Sequence, residues 1–350
     1  MSKSVVDGTN RNSLDCGVSA NPRVVMYKNE ITDEEYKCVL CGGGEFVVEL
    51  ESLSDNSGCS NKRFNIVRCL NCSHRSIFPY PQPEDIEKFY PAQYYAHVKP
   101  RNTPKNQIKS FLKRQSHRGP AGKFSNDNDS GDKPGLWAKL LAEPAYVDDG
   151  KLLDVGCGNG EYLFFAQSCG WNVKGVEPDS DAVEAMQAAG LNVVCSTAEH
   201  LPFPAEEFNV VRSWHSLEHT YSPLAALSEI ERVLKPNGHL LLSVPNYGCF
   251  QSRTLGKYWP PLEIPRHLHH FTDKSLNMAL EKVGLRKECE YLYSGMPFFD
   301  LGWNIKVMRA QGVKPGETML RVAKSTLREA TARVTGKDCR SFLTWWIRKI

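Results

Sequence analysis

One stretch, Leu152 to Glu161, limits the folds open to this chain more than any other. It reads Leu-Leu-Asp-Val-Gly-Cys-Gly-Asn-Gly-Glu. An apolar run (Leu152, Leu153, Val155) passes directly into glycines at 156, 158 and 160 and then into Tyr-Leu-Phe-Phe-Ala, the pattern of strand, tight turn and helix. Glycine admits positive φ and a close approach of backbone to ligand, and a helix starting near Glu161 points unpaired N–H groups over the turn. A glycine triplet alone says little, so the next strand arbitrates. The apolar run Trp171 to Val176 ends in Glu177-Pro178, about twenty residues past the glycines, where an acidic side chain can accept hydrogen bonds from both hydroxyls of a ribose. Together the two runs predict a Rossmann-like α/β site for an adenosine-type ligand.

The chain beyond them alternates strand-like and helix-like segments, which predicts a mostly parallel sheet with helices on both faces. Strands are expected at 151–155, 172–177, 191–195, 208–213, 239–244 and about 286–293. Helices are expected at 160–169, 180–189, 222–234 and 273–283, the last with Thr272 or Asp273 as its N-cap. Asn237-Gly238 after Lys235-Pro236 turns the chain into Leu240-Leu-Leu-Ser-Val.

Asp154-x-Gly156-x-Gly158-x-Gly160, Glu177, and Ala198-Glu199-His200-Leu201-Pro202-Phe203 together resemble the class I S-adenosylmethionine-dependent methyltransferases over about residues 146 to 292. Dinucleotide dehydrogenases usually lack the leading acid, so Asp154 favours S-adenosylmethionine over NAD. The resemblance implies a cofactor site built from Asp154, Gly156, Cys157, Gly158, Gly160, Glu177, Pro178, Ala198, Glu199 and Trp214, with the backbone at Ala198 and Glu199 at the adenine edge. It also implies a seven-stranded-type sheet closed by an antiparallel strand, for which no candidate is evident after Tyr293.

Upstream lie Cys38-Val-Leu-Cys41 and Cys69-Leu-Asn-Cys72, two knuckles separated by 27 residues of hairpin-like sequence. Four thiolates at this spacing can close a tetrahedral zinc site. Without an ion, a module of this size would have almost no core. A four-cysteine site has no open position, so the expected role is structural, and Cys59 and His74 fall off the knuckle spacing. The remaining cysteines are scattered, which suits a reducing compartment better than a disulfide framework. Met1 to Asn12 has no apolar signal core and no stretch reaches the roughly 18 apolar residues of a membrane span, so a cytoplasmic protein is expected.

The organisation read from sequence is a mobile tail (1–35), a zinc-ribbon-like module with a Pro/Tyr connector (36–97), a basic polar linker (98–145), the methyltransferase domain (146–292) and a basic helical extension (293–350). In relatives with such a knuckle, the module covers or approaches the substrate cleft. The linker has eight Lys or Arg and no acid between Val98 and Lys123, with Ile108, Phe111 and Leu112 on one helical face. Its last fifty residues, Leu301 to Ile350, hold eleven Lys or Arg against three acids, a stripe at Leu320, Ala323, Leu327, Ala330 and Val334, and a closing Phe342-Leu-Thr-Trp-Trp-Ile. Both regions admit peripheral contact with the inner face of a membrane, although a connector and a packing helix explain the same patterns more simply.

Methyl transfer needs alignment, water exclusion and removal of the acceptor's proton. Candidate catalytic groups must therefore sit at the carboxyl edge of the sheet. The run 208–213 ends there in Ser213-Trp214-His215-Ser216-Leu217-Glu218-His219, and His215 and His219 can each serve as base. His215, Glu218 and His219 stand at i, i+3 and i+4, a spacing similar to the Glu-x-x-Glu-His of quinone-pathway O-methyltransferases, where such residues can hold a divalent metal. Histidine in the first place argues against a hard cation, and Leu-Glu-His also recurs where it only supports the cofactor pocket. The second cluster is Arg266-His267-Leu-His269-His270-Phe271, which in similar methyltransferases forms a substrate wall. Here Arg266 could clamp an anion, His267 with His215 is the preferred base, and His269 is a further candidate. The acceptor expected is a small or lipid-linked metabolite methylated on oxygen or nitrogen, such as a sugar or cell-envelope precursor. An RNA substrate is disfavoured because Ser-Trp-His-Ser stands where base-amine methyltransferases carry an Asn-Pro-Pro-Tyr-like motif. A non-catalytic binding scaffold fits poorly with so many histidines.

Overall fold

The computed structural model describes residues 36–55, 58–90, 143–144, 147, 150–291, 305, 308–309, 312–334 and 341–350. The tail expected over 1–35, the connector beyond Tyr90 and the basic segment with Ile108, Phe111 and Leu112 lie outside the described residues.

The strands nearest the N-terminus, β1 (Phe46–Ser54), β2 (Arg63–Cys69) and β3 (Arg75–Phe78), form an antiparallel meander. Its apolar side chains Phe64, Ile66 and Ile77 are wholly buried. A seven-residue 3₁₀ helix, Pro83–Phe89, follows, with proline at its start and Phe89 buried.

The large sheet begins with β4 (Lys151–Val155), whose central residues are all buried as expected of a strand covered on both faces. It continues through helix α1 (Glu161–Ser168), β5 (Asn172–Glu177), helix α2 (Ser180–Ala188), β6 (Val193–Cys195), β7 (Phe208–Trp214), helix α3 (Pro223–Val233) and β8 (Leu234–Pro245). Asp179 caps α2 by accepting from Ala182 N at 2.8 Å, and Ser222 caps α3. Helix α4 (Phe250–Leu255), the two-residue strand β9 (His269–His270), helix α5 (Asp273–Lys282), strand β10 (Leu285–Glu290), helix α6 (Pro315–Val334) and strand β11 (Phe342–Lys349) complete the order. Thr272 is the cap of α5, in a reciprocal box with Ser275.

The large sheet has the order β10-β11-β8-β7-β4-β5-β6. Strands β4 to β8 run parallel, and β11 lies antiparallel between β8 and β10. The closing antiparallel strand, missing from the sequence reading, is thus Phe342–Lys349, and the end of the expected helical extension is a strand. Its residues Leu343 to Ile347 are all buried, so both faces are covered and the alternation that marks a half-exposed strand is absent. Trp345 and Trp346 are essentially inaccessible to solvent, and each contributes roughly 3 kcal/mol of burial.

Helix α6 lies within the same extension, and where its side chains are described the expected stripe is displaced; Leu327, Ala330 and Val334 lie outside the described side chains. Leu320 and Ala323 are exposed while Thr318 and Val322 are buried. Thr318 can turn inward because its hydroxyl donates to Val313 O at 3.4 Å. Among the described residues no helix is long and apolar enough to cross a membrane.

Strand β9 belongs to the other sheet. It pairs with β3 in the order β1-β2-β3-β9, through Arg75↔His270 and Ser76↔His269, and so welds the cysteine-bearing module to the loop before α5. Lys282 donates to Leu40 O nearby.

Candidate functional site

The glycine turn sits at the carboxyl end of β4. Gly156, Gly158 and Gly160 have φ of 73°, 55° and 76°, a region costly for other residues. At Gly156 the space is closed as well, because a Cβ there would lie 2.5 Å from Ser216 Oγ. Glu177, at the end of β5 and buried, accepts from Gly158 N at 2.8 Å through Oε2. The turn and the acid twenty residues on are therefore one unit.

Asp154 is buried beneath the turn, with Oδ1 accepting from Arg212 Nη1 at 2.9 Å and Oδ2 without a partner among the described residues. Burial pushes its carboxyl above the ordinary range against the pull of Arg212. Arg212 also lies 3.8 Å from the Tyr162 ring centroid and 4.8 Å from that of Trp214. Arg212 and Tyr162 were not singled out from sequence. A lone charged residue, Arg212, in the strand 208–213 was the available signal.

Positive-φ glycines, a ribose-type acid and an orphaned buried acceptor fit S-adenosylmethionine. Cys157 departs from its expected part, since its buried Sγ faces Met186 Sδ at 3.9 Å in the core behind the turn. Pro178 is exposed, and its carbonyl accepts from Cys195 Sγ at 3.5 Å. Ala198 packs against the core, and the Glu199 carboxylate accepts from Tyr221 N at 2.9 Å, tying this loop to the start of α3.

The adjacent strand, β7, brings Trp214 and His215 to the same edge, in register with β4 through Val155↔Ser213. His215 has a φ of 52° and donates its backbone N–H to Ser243 O at 2.9 Å. Its ring packs edge-on to Phe342, with centroids 4.8 Å apart, and its side chain keeps 26% exposure. Phe342 is a site wall the sequence reading missed, for the same reason that β11 was missed.

His215 Nδ1 lies 3.4 Å from Oε1 of Glu218, which is fully buried. Burial pushes the Glu218 carboxyl up, but His215, with His267 and His219, more than offsets it and keeps it below its ordinary value.

The other expected bases are engaged by backbone carbonyls, His219 half-buried and His267 buried. His219 Nδ1 lies 3.1 Å from both Arg266 O and the Tyr90 hydroxyl, and burial, with His267 beside it, lowers its pKa to about 4. His267 is buried with Nδ1 donating to Pro261 O at 2.8 Å. Arg266, expected to clamp an anion, is buried and occupied: Nη1 donates to Phe89 O at 3.1 Å and the fork faces Glu263 at 3.4 Å.

His269 is corrected outright. It lies in β9, with Nε2 donating to Thr220 O at 2.9 Å and Nδ1 accepting from His74 Nε2 at 3.1 Å. Burial lowers its pKa to about 4. It is a joint between the two sheets, and His74, off the knuckle spacing, is its partner. The compact metal-type grouping is also not the one the i, i+3, i+4 spacing suggested. It is Glu218, His219 and His267, with ligand atoms within 4.8 Å of one another.

Cys38, Cys41, Cys69 and Cys72 converge, with Sγ atoms of 38 and 72 at 3.5 Å and of 41 and 69 at 3.6 Å. A tetrahedron with bonds of about 2.3 Å has edges of about 3.8 Å, so the sulfurs fit zinc. Gly43 N and Asn71 Nδ2 both donate to Cys41 Sγ at 3.4 Å, the kind of outer support that thiolate ligands take.

A family model described as a methyltransferase domain matches residues 106–290. The chain is 29% identical over 176 residues to a ubiquinone biosynthesis O-methyltransferase of Cereibacter sphaeroides, covering 47% of this chain and 70% of that protein. A protein of the same description from Haemophilus ducreyi is 35% identical over 134 residues, 35% of this chain and 57% of its own length. Among solved structures, an S-adenosylmethionine-dependent methyltransferase from Mesorhizobium loti aligns at a TM-score of 0.42 and 18% identity, over 62% of this chain and 99% of that one.

Proposed function

The chain belongs to the S-adenosylmethionine-dependent methyltransferases, and from that premise we propose that it methylates an oxygen or nitrogen of a small or lipid-linked metabolite. The observation that carries this reading is His215. Its imidazole is partly exposed at the edge where the glycine turn and β7 meet, with no backbone carbonyl holding its ring among the hydrogen bonds of the described residues, and an O–H or N–H acceptor needs such a base.

Bound S-adenosylmethionine supplies an electrophilic methyl on a sulfonium that leaves as a neutral thioether. The chain's own residues do the rest. Glu177 takes the ribose hydroxyls while its Oε2 still holds Gly158 N, since a carboxylate has about four lone-pair positions. Glu218 Oε1 favours the proton on His215 Nδ1, which leaves Nε2 to accept the proton of the acceptor, and the same carboxylate stabilises the imidazolium that results. Trp214 and Phe342 flank His215 and exclude water from that proton transfer. The cysteine module, with its zinc, would hold β9 and the Pro83–Phe89 helix against the loop that carries His267.

The lipid-linked form is supported by α6, where Met319 and Leu320 are 58% and 56% exposed beside the exposed Lys314 and Lys324. The test is incubation with methyl-labelled S-adenosylmethionine and a cell extract, then partition of the label. Label in the organic phase supports a lipid-linked acceptor, and label in small aqueous material a free metabolite. Label released by RNase would overturn the proposal.

A further inference from the structure

Glu218 is fully buried, yet neither of its carboxylate oxygens has a hydrogen-bond partner among the described residues. A protonated carboxyl in this place needs an acceptor and an ionised one needs donors, and neither is supplied. His215 Nδ1 approaches one oxygen at 3.4 Å without completing such a bond. The residues around this carboxyl explain what is missing.

We propose that Glu218, His219 and His267 bind a divalent transition-metal ion, a second metal site distinct from the four cysteines. The donor atoms lie within 4.8 Å of one another, and His267 Nε2 stands 3.9 Å from Glu218 Oε1. Bonds of about 2.1 Å require donor separations of about 3 to 3.4 Å, so a modest inward movement closes the site.

The two imidazoles are already set for ligation. His267 Nδ1 faces Pro261 O at 2.8 Å and His219 Nδ1 faces Arg266 O at 3.1 Å. A carbonyl can only accept, so in each ring Nδ1 carries a proton, and in the neutral ring the lone pair is then on Nε2. A ring N–H held by a backbone carbonyl is how proteins fix metal-bound histidines. The rings meet at 83° with centroids 4.6 Å apart, an arrangement that packing of two neutral rings alone also permits, but which leaves the Glu218 carboxyl bare.

A second carboxylate borders the site: Glu263 Oε2 lies 3.8 Å from His267 Nε2 and is also paired with Arg266 at 3.4 Å, while the Tyr90 hydroxyl lies against His219 Nδ1, on the side away from Nε2. Glu218 can serve both the ion and His215, since a carboxylate has about four lone-pair positions. Two nitrogens and one oxygen suit zinc, manganese, iron(II) or cobalt(II) over magnesium or calcium. His267 comes from a loop remote in sequence, so the spacing around Glu218 does not reveal it, and His215 lies outside the ligand set.

The test reads metal rather than methyl transfer, so it stands or falls apart from the proposed reaction. The full-length chain is stripped with chelator, titrated with Co²⁺, desalted and analysed for bound cobalt and visible absorption. Two equivalents are expected, one giving the intense bands of thiolate ligation and the other the weak bands of nitrogen and oxygen ligation. In Glu218→Gln and in His267→Gln the second equivalent should be lost with the thiolate bands unchanged, and those bands serve as the folding control. Should one variant lose both signals, His219→Gln is read in its place. A single equivalent in the wild type, or a second one that survives these substitutions, overturns the proposal.

Discussion

Between Asp154 and Glu177 the cofactor half of the site is completed by a turn, one helix and one strand, and its key contact joins Glu177 to Gly158. The acceptor half needs Tyr90, the segment His215 to His219, the loop from Glu263 to His267, and Phe342 from the end of the chain. The first is shaped by backbone conformation. The second is shaped by which distant elements dock, namely β9 on β3 and β11 on β8. Disturbance of the cysteine module or the C-terminus should therefore reach the acceptor half and leave cofactor binding largely intact.

The substitution expected to do most damage strikes where the halves touch. Gly156→Val places a side chain at 2.5 Å from Ser216 Oγ and at a φ of 73°, and cofactor affinity measured by calorimetry should fall about a hundredfold, with transfer lost as well. Next comes His215→Ala. Labelled-methyl transfer should drop by roughly 10²- to 10⁴-fold while the cofactor Kd moves less than about twofold. Equal losses in both would erase the distinction between the halves.

The joint between the sheets gives a pH-dependent effect. Burial lowers His269 to about 4 and His270 in the same direction, so both are neutral when folded and protonate readily when unfolded. Depressed histidine pKa values mean that stability is fully present above the unfolded value near 6.5 and is lost as pH falls towards 4. His269 alone accounts for about 3 kcal/mol of that loss. Thermal melts from pH 7.5 to 4.5 check it, and a His269→Gln chain with an unchanged slope would contradict it. The smallest effect is expected from Tyr90→Phe. Losing one hydrogen bond at His219 should lower kcat/KM for the acceptor about fivefold without altering cofactor affinity.

The same contrast governs how far the residues alone disclosed the structure. Asp154, the three glycines, Glu177 and the Thr272 cap are legible because their partners lie within a few tens of positions and the backbone conformation demands their residue types. Strand β11 was not legible. Enclosed on both faces, Phe342 to Ile347 lacks alternation, and its partner Pro245 to Leu240 is far away in sequence. Helix α6 shows the limit of periodicity. Several apolar rows were available, and docking selected Thr318 and Val322 over Leu320 and Ala323. The histidines were conspicuous, but only the tertiary arrangement separates His215 at the open edge from His219 and His267 around Glu218 and from His269 in the joint.

The most direct test of the account is titration of S-adenosylmethionine into the Glu177→Ala chain beside the wild type. Two charge-assisted hydrogen bonds to the ribose should be lost, raising Kd by about a hundredfold with the fold intact. A Glu177→Ala chain that binds as tightly as the wild type would show that the turn and its acid are not the cofactor site.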